Sequence, residues 1–276
     1  MINKYFLAFF LATALVGCGG GGEDLSANMD GSANGTSGGS TTNQSAEGLW
    51  VGQITSQKEG APIPSIGIIR PTTGEYFFAT NSDYSTLING TGFIEGSKIT
   101  SKDFVNPDSK LGAKSGTFEG SVVTSKTLLI NEFSLGSNKV SGTFSFASSY
   151  NTGSNLNKLT GEYGSTVDSQ IKYSFAFNNP FADKTTFIGT SSNLNCKYLG
   201  TLSLIDGAKN IYRLTDLTIE KYDTRDDTIQ CNQSSTVNSA LSGYAAFVEV
   251  GGKTSLLLLA INDVKNTTFS AVLNKK

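Results

Sequence analysis

Apolar and polar residues alternate with a period of two along most of the chain after residue 46, and this alternation constrains the fold most strongly. Segments such as Glu75-Tyr76-Phe77-Phe78 and Ser141-Gly142-Thr143-Phe144 place successive side chains on opposite faces of a strand. Turn residues, including Asn89-Gly90, Asp206-Gly207 and Gly251-Gly252, separate these segments at short intervals. About sixteen candidate strands result, and helical periodicity is weak. The sequence therefore predicts an all-β fold of antiparallel meanders.

Two similar openings divide this β region into halves. An aromatic residue flanked by glycines begins each half, at 48–52 (GLWVG) and at 159–164 (LTGEYG), and a polar connector precedes the second opening. We therefore predict an N-terminal β domain at 47–150 and a C-terminal β domain at 156–276. Each has the size of a small barrel or sandwich. One continuous larger barrel or sandwich is the alternative.

The N-terminus has the pattern of an export sequence. Lys4 precedes an apolar run from Tyr5 to Val16, which is shorter than the ~20 residues that a helix needs to cross hydrocarbon. The run ends in Leu15-Val16-Gly17-Cys18, which resembles the lipobox of bacterial lipoprotein precursors. This pattern predicts a lipoprotein signal peptide at 1–17 and lipid attachment, palmitate included, at Cys18.

Residues 18–46 are predicted to be a flexible tether. The stretch is rich in Gly and Ser and has no aromatic residue, so it cannot bury enough apolar surface to offset its ordering entropy. Gly19 follows the lipidated cysteine, and by the enteric sorting rule this implies transport to the outer membrane. We therefore expect a protein that contacts the membrane through the acyl chains on Cys18, at the periplasmic face or the cell surface.

Charge and composition exclude several function classes. The net charge of −2 gives no electrostatic case for nucleic-acid binding. Histidine is absent, which removes His-dependent triads and the commonest metal ligand. No catalytic motif is recognisable, so we expect no cofactor and no enzymatic activity.

Cys196 and Cys231 remain as a pair once Cys18 is assigned to the lipobox. In an exported chain such a pair predicts a structural disulfide. A redox-active pair or a metal site is the alternative, but the chain has no Cys-x-x-Cys and no histidine to complete a zinc site.

The densest acidic cluster lies at 220–227. Asp223, Asp226 and Asp227 are weak candidates for a Ca²⁺ site or for paired catalytic carboxylates. The more ordinary interpretation is a solvated hairpin tip, in which Lys221 and Arg225 pair locally with the acids.

The aromatic residues of the first half have two interpretations. Trp50 is predicted to be a core residue, with a ligand pocket as the alternative. Of Tyr76, Phe77 and Phe78, at least one must face outward, where it could contact a partner, a sugar or lipid. Tyr84 has the same status.

The exported chain resembles a broad group of uncharacterised proteobacterial outer-membrane lipoproteins. That group combines a lipobox, a Gly-rich tether, a G-x-W-x-G opening and a two-cysteine all-β second half. The matching positions here are Cys18, Gly48 to Gly52, Gly74-Glu75-Tyr76, Gly90-Thr91-Gly92, Ser115 to Phe118, Leu159 to Tyr163, Cys196, Asn210-Ile211-Tyr212, Cys231 and Ser242-Gly243-Tyr244. The resemblance implies no activity and no catalytic residue, and the charged stretch 220–227 departs from it.

Together these features predict a non-enzymatic binding module for a small ligand or a protein partner. An envelope-structural lipoprotein acting through protein or peptidoglycan contacts is the first alternative. A carboxylate-dependent hydrolase is the second.

Overall fold

The computed structural model describes residues 45–276, except for the segments 57–59, 71–72, 81–85, 96–97, 107–113, 136–137, 166–170, 223–230, 232–239 and 263–266. The predicted all-β fold is confirmed: the described residues form seventeen strands and two short 3-10 helices. Several sequence predictions fall outside the described residues. They concern the signal peptide, Cys18, nearly all of the tether, Tyr84, and the three aspartates Asp223, Asp226 and Asp227. Within the described part, no helix has the length and apolar character needed to cross a membrane.

The first half of the chain forms a nine-stranded antiparallel sheet that curls almost into a ring. Its strand order is β4-β3-β2-β1-β9-β8-β7-β6-β5, and β4 also pairs with β6 at Asn89 and Val105. The two ends of the sheet therefore meet. The strands are β1 (Gly48–Ser56), β2 (Pro62–Arg70), β3 (Glu75–Thr80), β4 (Thr86–Thr91), β5 (Phe93–Glu95), β6 (Lys98–Asn106), β7 (Lys114–Thr124), β8 (Thr127–Leu135) and β9 (Asn138–Phe146).

The second half forms a closed antiparallel barrel of eight strands. Each strand pairs with its neighbour in sequence, and β10 pairs with β17 to close the ring. The strands are β10 (Gly161–Ser165), β11 (Tyr173–Phe177), β12 (Lys184–Ser191), β13 (Cys196–Leu204), β14 (Tyr212–Lys221), β15 (Leu241–Val250), β16 (Lys253–Asn262) and β17 (Thr268–Lys275).

Each ring encloses its own core, which the alternating pattern of the strands supplies. In the first sheet the inward residues include Trp50, Phe78 and Phe118. In the second barrel they include Phe175, Tyr198 and many other aromatic and aliphatic side chains. An eight-stranded ring is just wide enough for such side chains to fill it.

A third core joins the outer faces of the two rings. Strands β2, β3 and β16 are buried on both faces along most of their length. Their outward residues, such as Ile68, Phe77 and Leu257, pack against one another between the rings. The two rings therefore share a continuous apolar interface.

Two Arg–Glu–Tyr groups border this shared core. The Tyr150 hydroxyl donates a hydrogen bond of 2.6 Å to Glu47, whose carboxylate lies 3.5 Å from Arg70 Nη1. In the second group Tyr244 donates to the Glu75 carboxylate, and Arg213 Nη1 lies 3.5 Å from that carboxylate. Burial, followed by the hydrogen bond to the carboxylate, raises the pKa of Tyr150 and of Tyr244, so both hydroxyls remain donors at neutral pH.

The connector between the two halves contains the 3-10 helices Ser148–Asn151 and Leu156–Lys158. Leu156 and Leu159 point into the core of the second barrel. The backbone N–H of Asn210 donates to the Tyr150 carbonyl at 2.7 Å, which fastens the connector to the barrel. The connector therefore covers one end of the second barrel.

Candidate functional site

A cavity of about 460 Å³ lies at the end of the second barrel that the connector covers. Barrel mouths are common places for ligand sites because inward side chains converge there without filling the space completely. Among the described residues, eight line this cavity: Ser149, Thr152 and Lys158 from the connector, Asn210 before β14, Phe247 and Glu249 from β15, Thr254 from β16 and Lys275 from β17.

Strand alternation explains why polar residues of β15 to β17 reach this cavity. Ala245 points into the barrel core, so Phe247 and Glu249 have the same inward direction nearer the strand end. Glu249 pairs across the strands with Thr254, whose hydroxyl donates a hydrogen bond to the Glu249 carboxylate. Lys275 occupies the corresponding end of β17, opposite Tyr163 of β10.

Asn210 and Phe247 form the rigid wall of the cavity. The Asn210 side-chain amide donates to the Phe247 carbonyl at 2.7 Å, and its oxygen accepts from the Phe247 N–H at 3.1 Å. The Phe247 ring is partly buried and meets the Tyr212 ring edge-on, with 6.2 Å between centroids. These contacts fix the aromatic side chain that borders the cavity.

The electrostatic character of the cavity comes from Lys158, Lys275 and Glu249. All three are exposed, and they contribute two positive charges and one negative charge to the lining. Lys275 Nζ lies 3.4 Å from the Lys158 carbonyl oxygen and 5.8 Å from the centroid of the Tyr163 ring. Burial raises the pKa of Tyr163 to about 12, so that phenol stays neutral and the described lining keeps a net positive charge from its two lysines and one glutamate.

A second cavity of about 260 Å³ continues from the first toward the nine-stranded sheet. The two cavities share Ser149 and Glu249. Val51, Ser145 and Phe146 of β1 and β9 form the far side of this second cavity. The barrel mouth is therefore continuous with the junction between the two rings.

The interior of the second barrel is occupied by its own aromatic side chains. The Phe175 ring lies 5.5 Å from Phe187, 5.6 Å from Tyr198 and 6.2 Å from Phe269, measured between centroids. Such edge and face contacts between rings show that the protein's own buried side chains occupy the centre. A ligand is therefore more readily accommodated at the mouth and on the outer surface than in the centre.

The structure contains the predicted disulfide between Cys196 and Cys231, with 5.1 Å between the Cα atoms. Both cysteines are buried against the core of the second barrel, as a structural bond requires. Trp50 is a core residue, as expected, and its indole N–H donates to the Ala46 carbonyl at 3.0 Å.

Phe77 is the outward aromatic that the alternation of residues 76–78 requires. It packs in the shared core, where its ring lies 5.5 Å from the Tyr244 ring. The acidic candidates Asp223, Asp226 and Asp227 lie outside the described residues. Among the residues that are described, no group of three or more His, Cys, Asp or Glu side chains could hold a metal ion.

Sequence reasoning did not single out Lys158, Phe247, Glu249 or Lys275. Each of them is an ordinary residue in its local segment, and the four come together only through barrel closure and the connector. The one local indication is the position of Glu249, which continues the inward side of β15 with a charged residue.

Comparison with known proteins gives no family. No protein-family model matches the chain, and no curated protein matches it. One solved structure, Aeromonas veronii immune modulator A, aligns with a TM-score of 0.40 and 12% identity, over 83% of this chain and 94% of that chain. At this level of similarity nothing about function follows.

Proposed function

We propose that this protein is a lipid-anchored, non-enzymatic binding protein of the outer membrane, and that its ligand occupies the mouth of the second barrel. The observation that carries the binding site is the cavity of about 460 Å³, where two lysines, a carboxylate, hydroxyl groups and the side of an aromatic ring converge. A few placed polar groups beside an apolar surface are typical of small-ligand sites.

The rigidity of the surrounding structure supports this proposal. The cavity is lined by strand ends and by a connector that hydrogen bonds fix to the barrel, so its shape is set before a ligand arrives. A preorganised site loses less entropy on binding than a flexible one. The anchor at Cys18 rests on the lipobox pattern of the sequence.

Native mass spectrometry of the processed protein, expressed through its own export route and released gently from detergent, tests the binding site. We expect an added mass that disappears on denaturation, and the double substitution of Lys158→Ala and Lys275→Ala should reduce it. The matched control replaces Lys184 and Lys197, two lysines of the second barrel that do not line the cavity. A bare polypeptide, or an added mass that both double variants retain equally, would contradict the proposal.

Metabolic labelling tests the anchor separately. Cys18→Ser should abolish incorporation of labelled palmitate and remove the protein from the outer-membrane fraction, because the acyl chains provide the attachment. Unchanged fractionation of the Cys18→Ser variant would contradict the lipid anchor without affecting the binding site.

An envelope-structural role through protein contacts is the second candidate. The observation that favours it is a set of exposed apolar side chains on the second barrel: Phe181 is 81% exposed, Ile188 50% and Leu204 40%. Protease treatment of intact cells separates the two candidates in part, since a surface binder is cleaved and a periplasmic component is protected.

A further inference from the structure

A third cavity, of about 390 Å³, lies on the outer face of the nine-stranded sheet. It is formed by neighbouring strands β1, β8 and β9, and its side chains are mainly uncharged amides and hydroxyls. The polar residues that line it are Gln53, Thr55, Asn131, Ser141 and Thr143.

The pairing of β1 with β9 shows that this cavity continues from the two cavities described above. Val51 pairs with Ser145 at the junction cavity, Gln53 pairs with Thr143 and Thr55 pairs with Ser141. Because alternate residues share a face, these pairs are successive rows about 7 Å apart. The three cavities therefore form one strip, which starts at the mouth of the second barrel and ends on the outer face of the first sheet.

We propose that this strip binds a linear, uronate-bearing oligosaccharide, with a uronate carboxylate at the lysine end. The proposal deepens the proposed function, on which it rests, by naming the chemical class of the ligand. The occupant must be extended, because the lining residues follow successive rows of β1 and β9 away from the junction cavity rather than surrounding a single basin.

The lining favours a carbohydrate over a peptide. Strands β1 and β9 each pair with neighbours on both sides, so their main-chain groups are already hydrogen-bonded. A peptide could not be held by strand addition there. The side-chain amides and hydroxyls instead match sugar hydroxyls, and Phe146 and Phe247 supply the apolar contacts that the faces of sugar rings require.

Charge complementarity places a carboxylate of the ligand at the barrel mouth. Lys158 and Lys275 lie at the barrel mouth, whereas none of the described residues that line the far cavity is charged. A carboxylate near the two ammonium groups gains charge-assisted hydrogen bonds that the far end cannot offer. Glu249, at the boundary between the first two cavities, can accept hydrogen bonds from sugar hydroxyls.

Titration calorimetry on the full-length protein in detergent tests the proposal with three probes. These are an oligogalacturonate of eight residues, the corresponding trimer and neutral maltooctaose. We expect the acidic octamer to bind at least tenfold more tightly than the other two, because only it has both the length and the charge. Equal binding of octamer and trimer, tighter binding of maltooctaose, or no binding of the octamer would overturn the proposal.

Substitutions in the strip locate the binding. Ser145→Trp places a bulky ring on an exposed position in the middle of the strip, and it should weaken octamer binding tenfold while leaving the trimer unchanged. Lys158→Ala combined with Lys275→Ala should weaken both acidic probes tenfold. The controls are Thr186→Trp, at an exposed outer position of β12, and Lys184→Ala, and both should bind like the wild type.

The outcomes also separate this inference from the proposed function. If the octamer does not bind but the lysine pair still controls a mass retained in native mass spectrometry, the ligand class is wrong and the binding site stands. If neither result is obtained, both are wrong.

Discussion

The two rings follow the same strand plan but close in different ways. In the second barrel, β10 and β17 pair through three successive residues, Tyr163 to Ser165, and the ring is complete. In the first sheet the last strand of the ring is split at Gly92 into β4 and β5, so its pairing with β6 is interrupted: β4 meets β6 at Asn89, and β5 pairs with β6 through residues 93–95. The second barrel also contains the disulfide.

This difference indicates where the stability of each ring originates. The second barrel has closed hydrogen bonding and a covalent cross-link of its own. The first sheet depends more on the shared core, to which β2 and β3 contribute their buried outward residues, including Ile66, Ile68 and Phe77. The following predictions test this division, starting with the largest effect.

Leu257→Asp is expected to have the largest effect. Leu257 is completely buried in the shared core, so an aspartate there would place a charge in an apolar environment and cost about 4 kcal/mol or more. We expect the first sheet to unfold before the second barrel, giving two calorimetric transitions. Ile188→Asp, at a half-exposed outer position, is the control. A single transition at the wild-type temperature would contradict the role of the shared core.

Removal of the disulfide is expected to cause the next largest loss of folding stability. The bond closes a loop with a sequence separation of 35 residues, and the chain-entropy model gives it about 3–4 kcal/mol of stabilisation. Replacing Cys196 and Cys231 by alanine should lower the unfolding free energy measured in urea by that amount. Reductant should lower the melting temperature of the wild type by several degrees and leave the double variant unchanged. An equal response of both proteins to reductant would contradict this prediction.

Gly52→Ala and Gly243→Ala compare the two rings at matched positions. A Cβ at Gly52 would lie 2.1 Å from the Thr143 carbonyl oxygen, and a Cβ at Gly243 would lie 2.0 Å from that of Leu259. Overpacking against a neighbouring backbone costs about 1–3 kcal/mol. We expect a similar loss at both sites in urea unfolding. Gly207→Ala should have little effect, because an added Cβ there would lie within 4 Å of no described atom outside the adjoining residues.

Alkaline pH should lower the folding stability by a smaller amount, and only within a narrow range of pH. Burial raises the pKa of Tyr163 and of Tyr198 to about 12, above the value of 10 in the unfolded chain. The unfolded state therefore loses protons first, and the stability contributed by these phenols is complete below pH 10 and is lost as the pH rises toward 12. Melting temperatures across this range should fall, and Tyr198→Phe should reduce the slope. A flat profile up to pH 12 would contradict the assignment.

Much of the fold could be predicted from local patterns. Alternation and most of the turn residues determined the all-β class, although Asn89-Gly90 lies within β4 and not in a turn. The cysteine count together with the export sequence predicted the Cys196–Cys231 bond. Phe77 shows the limit of this reasoning: alternation requires it to face outward, but only packing places it against Tyr244 and not against a partner. The sequence patterns of two amphipathic or apolar strands do not show which of their faces pack against each other.

The candidate site could not be predicted from the sequence, because it is formed by contacts between residues that are distant along the chain. Lys158 and Lys275 are 117 positions apart, and their approach depends on ring closure at β10 and β17 and on the connector. Strand formation follows from contacts that are close in sequence and from a period of two, so the sequence by itself determined the elements and the face on which each residue lies. Which faces become core, interface or groove depends on contacts between distant strands, and only the tertiary structure decided it.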